Sequence, residues 1–124
     1  LEIGIDFHGV INENPEFWAH YTKEMHDNGN VIHVVTGGER SEVEPFLKKN
    51  DIKFDKIFSI IDDAVERGIE VKRDEQGKNP IIADKIWKRA KGMYAKSAGL
   101  DIHIDDTEQY GRYFPKKCRF ILWK

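Results

Sequence analysis

Cysteine is nearly absent from this 124-residue chain: Cys118 is the only one, so no internal disulfide can form. Its setting in "CRFILWK" predicts a buried, unreactive thiol that acts as a small apolar side chain. Long apolar runs are missing too. No stretch approaches the roughly 20 residues of a membrane helix, and no basic-then-apolar leader precedes the first predicted strand. The expected compartment is the cytoplasm, with no membrane partner. Nor does one charge dominate. Twenty Lys and Arg are interspersed with 22 Asp and Glu, and the formal charge of -2 gives no global pull toward nucleic acid. Repeats, low-complexity tracts and linkers are also lacking. What is there, 40% hydrophobic and 34% charged residues, predicts one soluble domain over 1–124 with a single core.

Along the chain the hydrophobic period alternates between that of strands and that of helices. Residues 2–6 read as a buried strand. "NPEFWAHYTKEMHDNG" reads as a helix, with Pro15 near its start, Phe17, Trp18, Tyr21 and Met25 as its core stripe, and Gly29 as its stop. "VIHVVT" at 31–36 is a second strand, followed by Gly37-Gly38 and a helix over 41–49 that buries Val43, Phe46 and Leu47. "KIFSII" at 56–61 is a third strand. Residues 62–84 then form a small excursion, a hairpin turning at Gln76-Gly77. A helix over 85–97, closed by Gly99, leads to strands at 101–105 and 119–122. This order predicts a three-layer α/β/α, Rossmann-like domain with a mostly parallel sheet.

Parallel sheets of this kind place their sites at the carboxyl ends of the strands. The residues closing the strands are Asp6, Thr36 and the pair Asp105-Asp106. Three convergent carboxylates need a counter-charge, and an all-oxygen donor set suits Mg²⁺, which binds a few carboxylates while keeping waters and a substrate phosphate. Thr36 with the Gly37 and Gly38 amides, just ahead of a helix, predicts an anion cradle. Each piece alone reads as ordinary strand-end chemistry. All three at successive strand ends describe a phosphoryl site.

On these residues the chain resembles the haloacid dehalogenase superfamily, whose commonest members are Mg²⁺-dependent phosphatases. "IGIDFHGVI" is similar to that family's first motif, "VVTGG" to its second and "IHIDDT" to its fourth, in the family's order over nearly the whole chain. The third motif is a lysine near the start of the helix before the paired acids; Lys91 fits best, with Lys88 and Lys85 as alternatives. The resemblance implies that Asp6 is the nucleophile that forms an aspartyl-phosphate. It implies that Thr36, the Gly37 amide and the lysine hold the phosphoryl oxygens. It also implies Mg²⁺ on Asp6, Asp105, Asp106 and the main-chain carbonyl of His8.

His8 departs from the pattern, because the family's phosphatases usually carry a second Asp there to protonate the leaving oxygen and activate water. An imidazole, with an unperturbed pKa of roughly 6.5, can do both, although its ring is longer than a carboxylate. Three readings stand open: a phosphatase using His8 as acid–base, a slow or specialised phosphohydrolase, and a catalytically silent phosphate- or partner-binding protein. The remaining histidines, His20, His26, His33 and His103, are expected to be structural.

Only short stretches occupy the two positions where family members insert cap domains, so the resemblance implies a nearly capless, open site. Either a second copy of the chain closes it or the substrate excludes water itself. Candidate substrates are a phosphorylated small molecule, a nucleotide or a macromolecular end. Lys72, Arg73, Lys78, Lys88, Arg89 and Lys91 are candidates for steering one.

Overall fold

Five strands form one sheet whose neighbours all run parallel, in the order β3-β2-β1-β6-β7. The computed structural model describes residues 1–77 and 79–124; Lys78, one of the steering candidates, lies outside them. The strands are β1 (Glu2–Asp6), β2 (Val31–Thr36), β3 (Lys56–Ser59), β6 (Ile102–Asp105) and β7 (Arg119–Leu122). Helices α1 (Pro15–Asp27) and α2 (Arg40–Lys49) make the first two crossovers, and α4 (Asp84–Ala98) carries the chain from the β3 side back across β1 to β6. Right-handed crossovers that reverse direction must lie on opposite faces of the sheet. The core divides accordingly. Ile3, Ile5, Ile32 and Val34 pack with Trp18, Val43 and Leu47 from α1 and α2, whereas Val35 packs with Ala95 and Leu100 at the end of α4. The three-layer α/β/α architecture expected from the alternating periods is therefore present.

Gly4, in the centre of β1, faces α4. A Cβ there would come 2.7 Å from Leu100 Cδ1 and 2.8 Å from His103 Nδ1, so this strand position has room for glycine alone.

Two expectations need correction. Ile60 and Ile61 do not extend β3; they open α3 (Ile60–Glu66), because the Ser59 side chain accepts the Asp62 N–H and caps a helix with Asp62 and Asp63 in its first turn. The excursion over 62–84 therefore begins inside a helix, and only β4 (Lys72–Arg73) and β5 (Pro80–Ile81) form the antiparallel hairpin. Its turn is closed by the Gly77 N–H donating to the Asp74 carbonyl, with Gly77 at φ 67°. The core stripe of α1 is also narrower than its spacing suggested. Trp18 is buried, but Phe17 is exposed and lies against Tyr21 and Trp123. No helix among the described residues is long and apolar enough to cross a membrane.

Candidate active site

The sheet order reverses beside β1: the chain steps from β1 to β2 on one side and later returns to β6 on the other. The crevice at such a switch point is where parallel sheets bind ligands. Ile5 is in register with Ile104, so Asp6 and Asp105, one residue further on, close adjacent strands side by side.

Lys91, from α4, bridges them. Its Nζ donates to Asp6 Oδ1 at 2.8 Å and to Asp105 Oδ2 at 2.9 Å, with all three side chains buried. Lys88 instead pairs with Asp84, one turn earlier in its own helix, and Lys85 lines a groove between α3 and α4. Of the three candidate lysines, only Lys91 reaches the acids.

Asp106 adds a third carboxylate, and one oxygen from each of Asp6, Asp105 and Asp106 lies within 4.8 Å of the others. The donors around them are unevenly shared. Asp105 Oδ2 accepts from Lys91 and lies 2.9 Å from His103 Nε2, while its Oδ1 accepts the Thr107 N–H at 3.0 Å. Asp6 Oδ1 accepts from Lys91 and the Phe7 N–H. Among the described residues no donor is bonded to Asp6 Oδ2 or Asp106 Oδ2. Three acids with one ammonium and two unengaged oxygens fit a divalent hard cation, held by Asp6, Asp105 and Asp106.

The same imbalance sets the proton affinities. Burial pushes the Asp6 carboxyl up to about 7, with Lys91 opposing and the charges of Asp105 and Asp106 adding to the rise. Asp105 is buried as well, yet the His103 hydrogen bond and the Lys91 charge hold it at about 2. Burial works against the Lys91 charge, but Asp6 and Asp105 outweigh it and raise its pKa. Burial lowers the pKa of His103, so the ring is neutral; its Nε2–H donates to Asp105, and its buried Nδ1 is left without a partner.

His103, expected to be structural, is fully buried within β6, and from there its ring also contacts the site acid Asp105. The usable signal was strand alternation, since residues 103 and 105 of one strand share a face. His33 is structural as well: its ring bridges the Tyr94 hydroxyl at 2.6 Å and Glu2 Oε1 at 2.7 Å, away from the acids.

After β1 the chain makes a type II turn, with His8 at φ -71°, ψ 123° and Gly9 at φ 87°, ψ -5°. The positive φ demands glycine, and the Asp106 carboxylate lies where a Cβ would project. The turn leaves the His8 ring exposed on the wall of a cleft of about 420 Å³. Gly37 and Gly38 form another part of that wall. Trp87 lies where a Gly37 Cβ would project, and His8 Cε1 lies 2.8 Å from the corresponding position on Gly38, so two rings close over the glycine pair.

The anion cradle is smaller than its sequence suggested. Thr36 is fully buried beneath the glycines, and its Oγ accepts the Gly38 N–H at 3.0 Å. The first amide of α2, that of Arg40, donates to Asp62. Among the cleft-lining groups, the Gly37 N–H and Lys91 stay available to an anion, whereas Thr36 does not reach the cleft. Ser59, which carried no motif signal, secures the turn by donating to the Gly38 carbonyl at 2.7 Å.

The far wall comes from α4, the hairpin and Glu108–Tyr113, of which the sequence left only the last unassigned. Trp87 Nε1 donates to the Tyr110 hydroxyl at 2.8 Å, which ties α4 to the short helical turn Glu108–Tyr113. The hairpin brings Asn79 and Pro80 to the rim and is anchored by Arg73 Nη1 to Glu39 Oε1 at 2.8 Å. No protein-family model, curated protein or solved structure matches this chain.

Proposed function

We propose that this chain is a Mg²⁺-dependent phosphomonoesterase that acts through an aspartyl-phosphate on Asp6, as the resemblance to the haloacid dehalogenase superfamily implies. One observation carries the reading: Asp6, Lys91 and Asp105 converge in a buried network at the sheet's switch point, with Asp106 and the Gly37 amide beside it. A bound divalent cation would supply charge neutralisation for the acids and for the phosphoryl oxygens.

In the first step a carboxylate oxygen of Asp6 attacks phosphorus, the bond from phosphorus to the leaving oxygen breaks, and that oxygen takes a proton. Water then attacks the phosphorus of the aspartyl-phosphate and gives a proton to the His8 imidazole, which lost one in the first step; the bond from phosphorus to the Asp6 oxygen breaks, returning the carboxylate and releasing inorganic phosphate. Lys91 orients Asp6, and its charge offsets the negative charge on the phosphoryl group. In this reading the proton donor is His8, whose exposed ring lies on the cleft wall two residues beyond Asp6.

The test is metal-dependent phosphate release from a panel of phosphomonoesters by wild type and Asp6→Asn. Release by the wild type that falls to background in the variant is expected. Equal turnover by the two proteins would remove Asp6 as nucleophile. A second reading, a silent phosphate-binding protein, draws on the same His8 substitution; it predicts no turnover on any substrate together with tungstate binding that Gly37→Ala weakens.

A further inference from the structure

We propose that the cleft selects a small phosphomonoester whose leaving group carries a positive charge, of the ammonium-bearing alcohol class, and turns away polyanions such as nucleic-acid ends. The inference rests on the phosphohydrolase reading above and narrows its substrate.

Charge at the cleft is the first argument. Of the basic residues considered for steering a polyanion, each described one has a partner of its own; Lys78 lies outside the described residues. Arg73 holds Glu39, Lys88 holds Asp84, Lys72 lies 3.9 Å from Glu70, and Arg89 sits over the Tyr113 ring. Lys91 is buried between two aspartates. Among the described residues, no other Lys or Arg lines the cleft. A phosphomonoester dianion therefore meets three carboxylates, one ammonium and whatever divalent cation they hold. A cation on the substrate itself offsets that deficit.

Glu42 is the second argument. It lies on the cleft wall, exposed, in the first turn of α2, and among the described residues its carboxylate has no ion-pair or hydrogen-bond partner. With Glu39 neutralised by Arg73, Glu42 is the acid at the mouth whose charge is uncompensated. It would repel a second phosphate or a carboxylate on the leaving group and attract an ammonium.

The third argument is the wall beside it. Trp87 and Tyr110 are locked together by their hydrogen bond, and aromatic faces attract cations. Tyr110 already carries one, with Lys91 Nζ 5.3 Å from its ring centre.

Three small substrates of similar size separate the possibilities: 2-aminoethyl phosphate, ethyl phosphate and phosphoglycolate, run beside a 5′-phosphorylated oligonucleotide. We expect kcat/KM to fall in that order, with roughly five- to tenfold between the ammonium and the carboxylate substrate, the size of a two-unit change of leaving-group charge screened across an open cleft. Glu42→Gln should flatten the order and Glu42→Lys should reverse it. Phosphoglycolate or the oligonucleotide equalling 2-aminoethyl phosphate in the wild type, or an order unchanged in Glu42→Lys, overturns this inference and leaves the phosphohydrolase reading standing. No release from any of the four overturns both.

Discussion

At the scale of single residues, the site is governed by how one ammonium is divided between two acids. Burial disfavours the charge on both acids and Lys91 serves both, but Asp105 also receives His103 and the Thr107 N–H, so the proton goes to Asp6. In metal-free protein the folded Asp6 pKa of about 7 stands above the ordinary 3.8. The folded state then holds a proton that the unfolded state has lost between these values. This contribution to stability is complete below pH 3.8 and disappears as pH rises through about 7. Thermal unfolding in chelator between pH 5 and 8 should show the midpoint of wild type falling relative to that of Asp6→Asn. Parallel curves for the two proteins would contradict the assigned cause. His8 is the other decisive residue. Its main chain forms the type II turn and its side chain faces the cleft, so the two can be separated by mutation. His8→Asp should keep the turn, and on alkyl phosphates, which need leaving-group protonation, it should change turnover by about 10²–10⁴-fold while sparing aryl phosphates. A gain would mean that imidazole is the poorer acid here, and a loss would mean that it is the working one.

At the scale of elements, α4 does most to assemble the site. It delivers Lys91 to the acids and Trp87 to the glycine turn, and these can be correctly placed only if the helix sits close to the segment after β6. Gly92 sets that distance, because the backbone carbonyl of Tyr113 lies where its Cβ would project. On helix propensity alone Gly92→Ala would stabilise by about 1 kcal/mol. The obstacle is backbone rather than a flexible side chain, and overpacking of this kind costs roughly 1–3 kcal/mol. A net loss is therefore expected, read as a lower urea midpoint with an unchanged slope. A higher midpoint would show that the two segments can move apart freely. Element boundaries also show where local pattern is informative. Gly99, at φ 66°, ends α4 where its type and position predicted. Ile60 and Ile61 misled because two β-branched residues after a strand read as more strand, whereas the Ser59 cap immediately before them turned them into a helix.

At the scale of the whole molecule, the two faces of the sheet divide the work. One buries the aliphatic and aromatic core against α1 and α2; the other carries His33, His103, Asp6 and Asp105 beneath α4. Cys118 belongs to the second face, packed with Val35, Ala95 and Leu100, and burial pushes its thiol up to about 11. It should therefore report global opening. At pH 8 its alkylation in native protein should be far slower than in urea and should accelerate with denaturant along the unfolding curve. Labelling at the rate of a free thiol in buffer would mean that this layer opens locally.

Apart from α3, the order of strands and helices, the parallel sheet and the placing of Asp6, Thr36 and Asp105 at strand ends were determined by the sequence itself. Hydrophobic period and chain handedness are local properties, and together they allow few topologies. Which lysine meets the acids could not be decided that way. Lys85, Lys88 and Lys91 share a helix with similar neighbours, and the choice depends on how α4 rotates against a strand 85 residues away. The same holds for the tie from His103 to Asp105, the smaller anion cradle left once Asp62 takes an α2 amide, and the uncompensated charge of Glu42. Each depends on a distance between elements that are remote in sequence. Local pattern carries no term for such distances; they are set when the helices pack against the sheet.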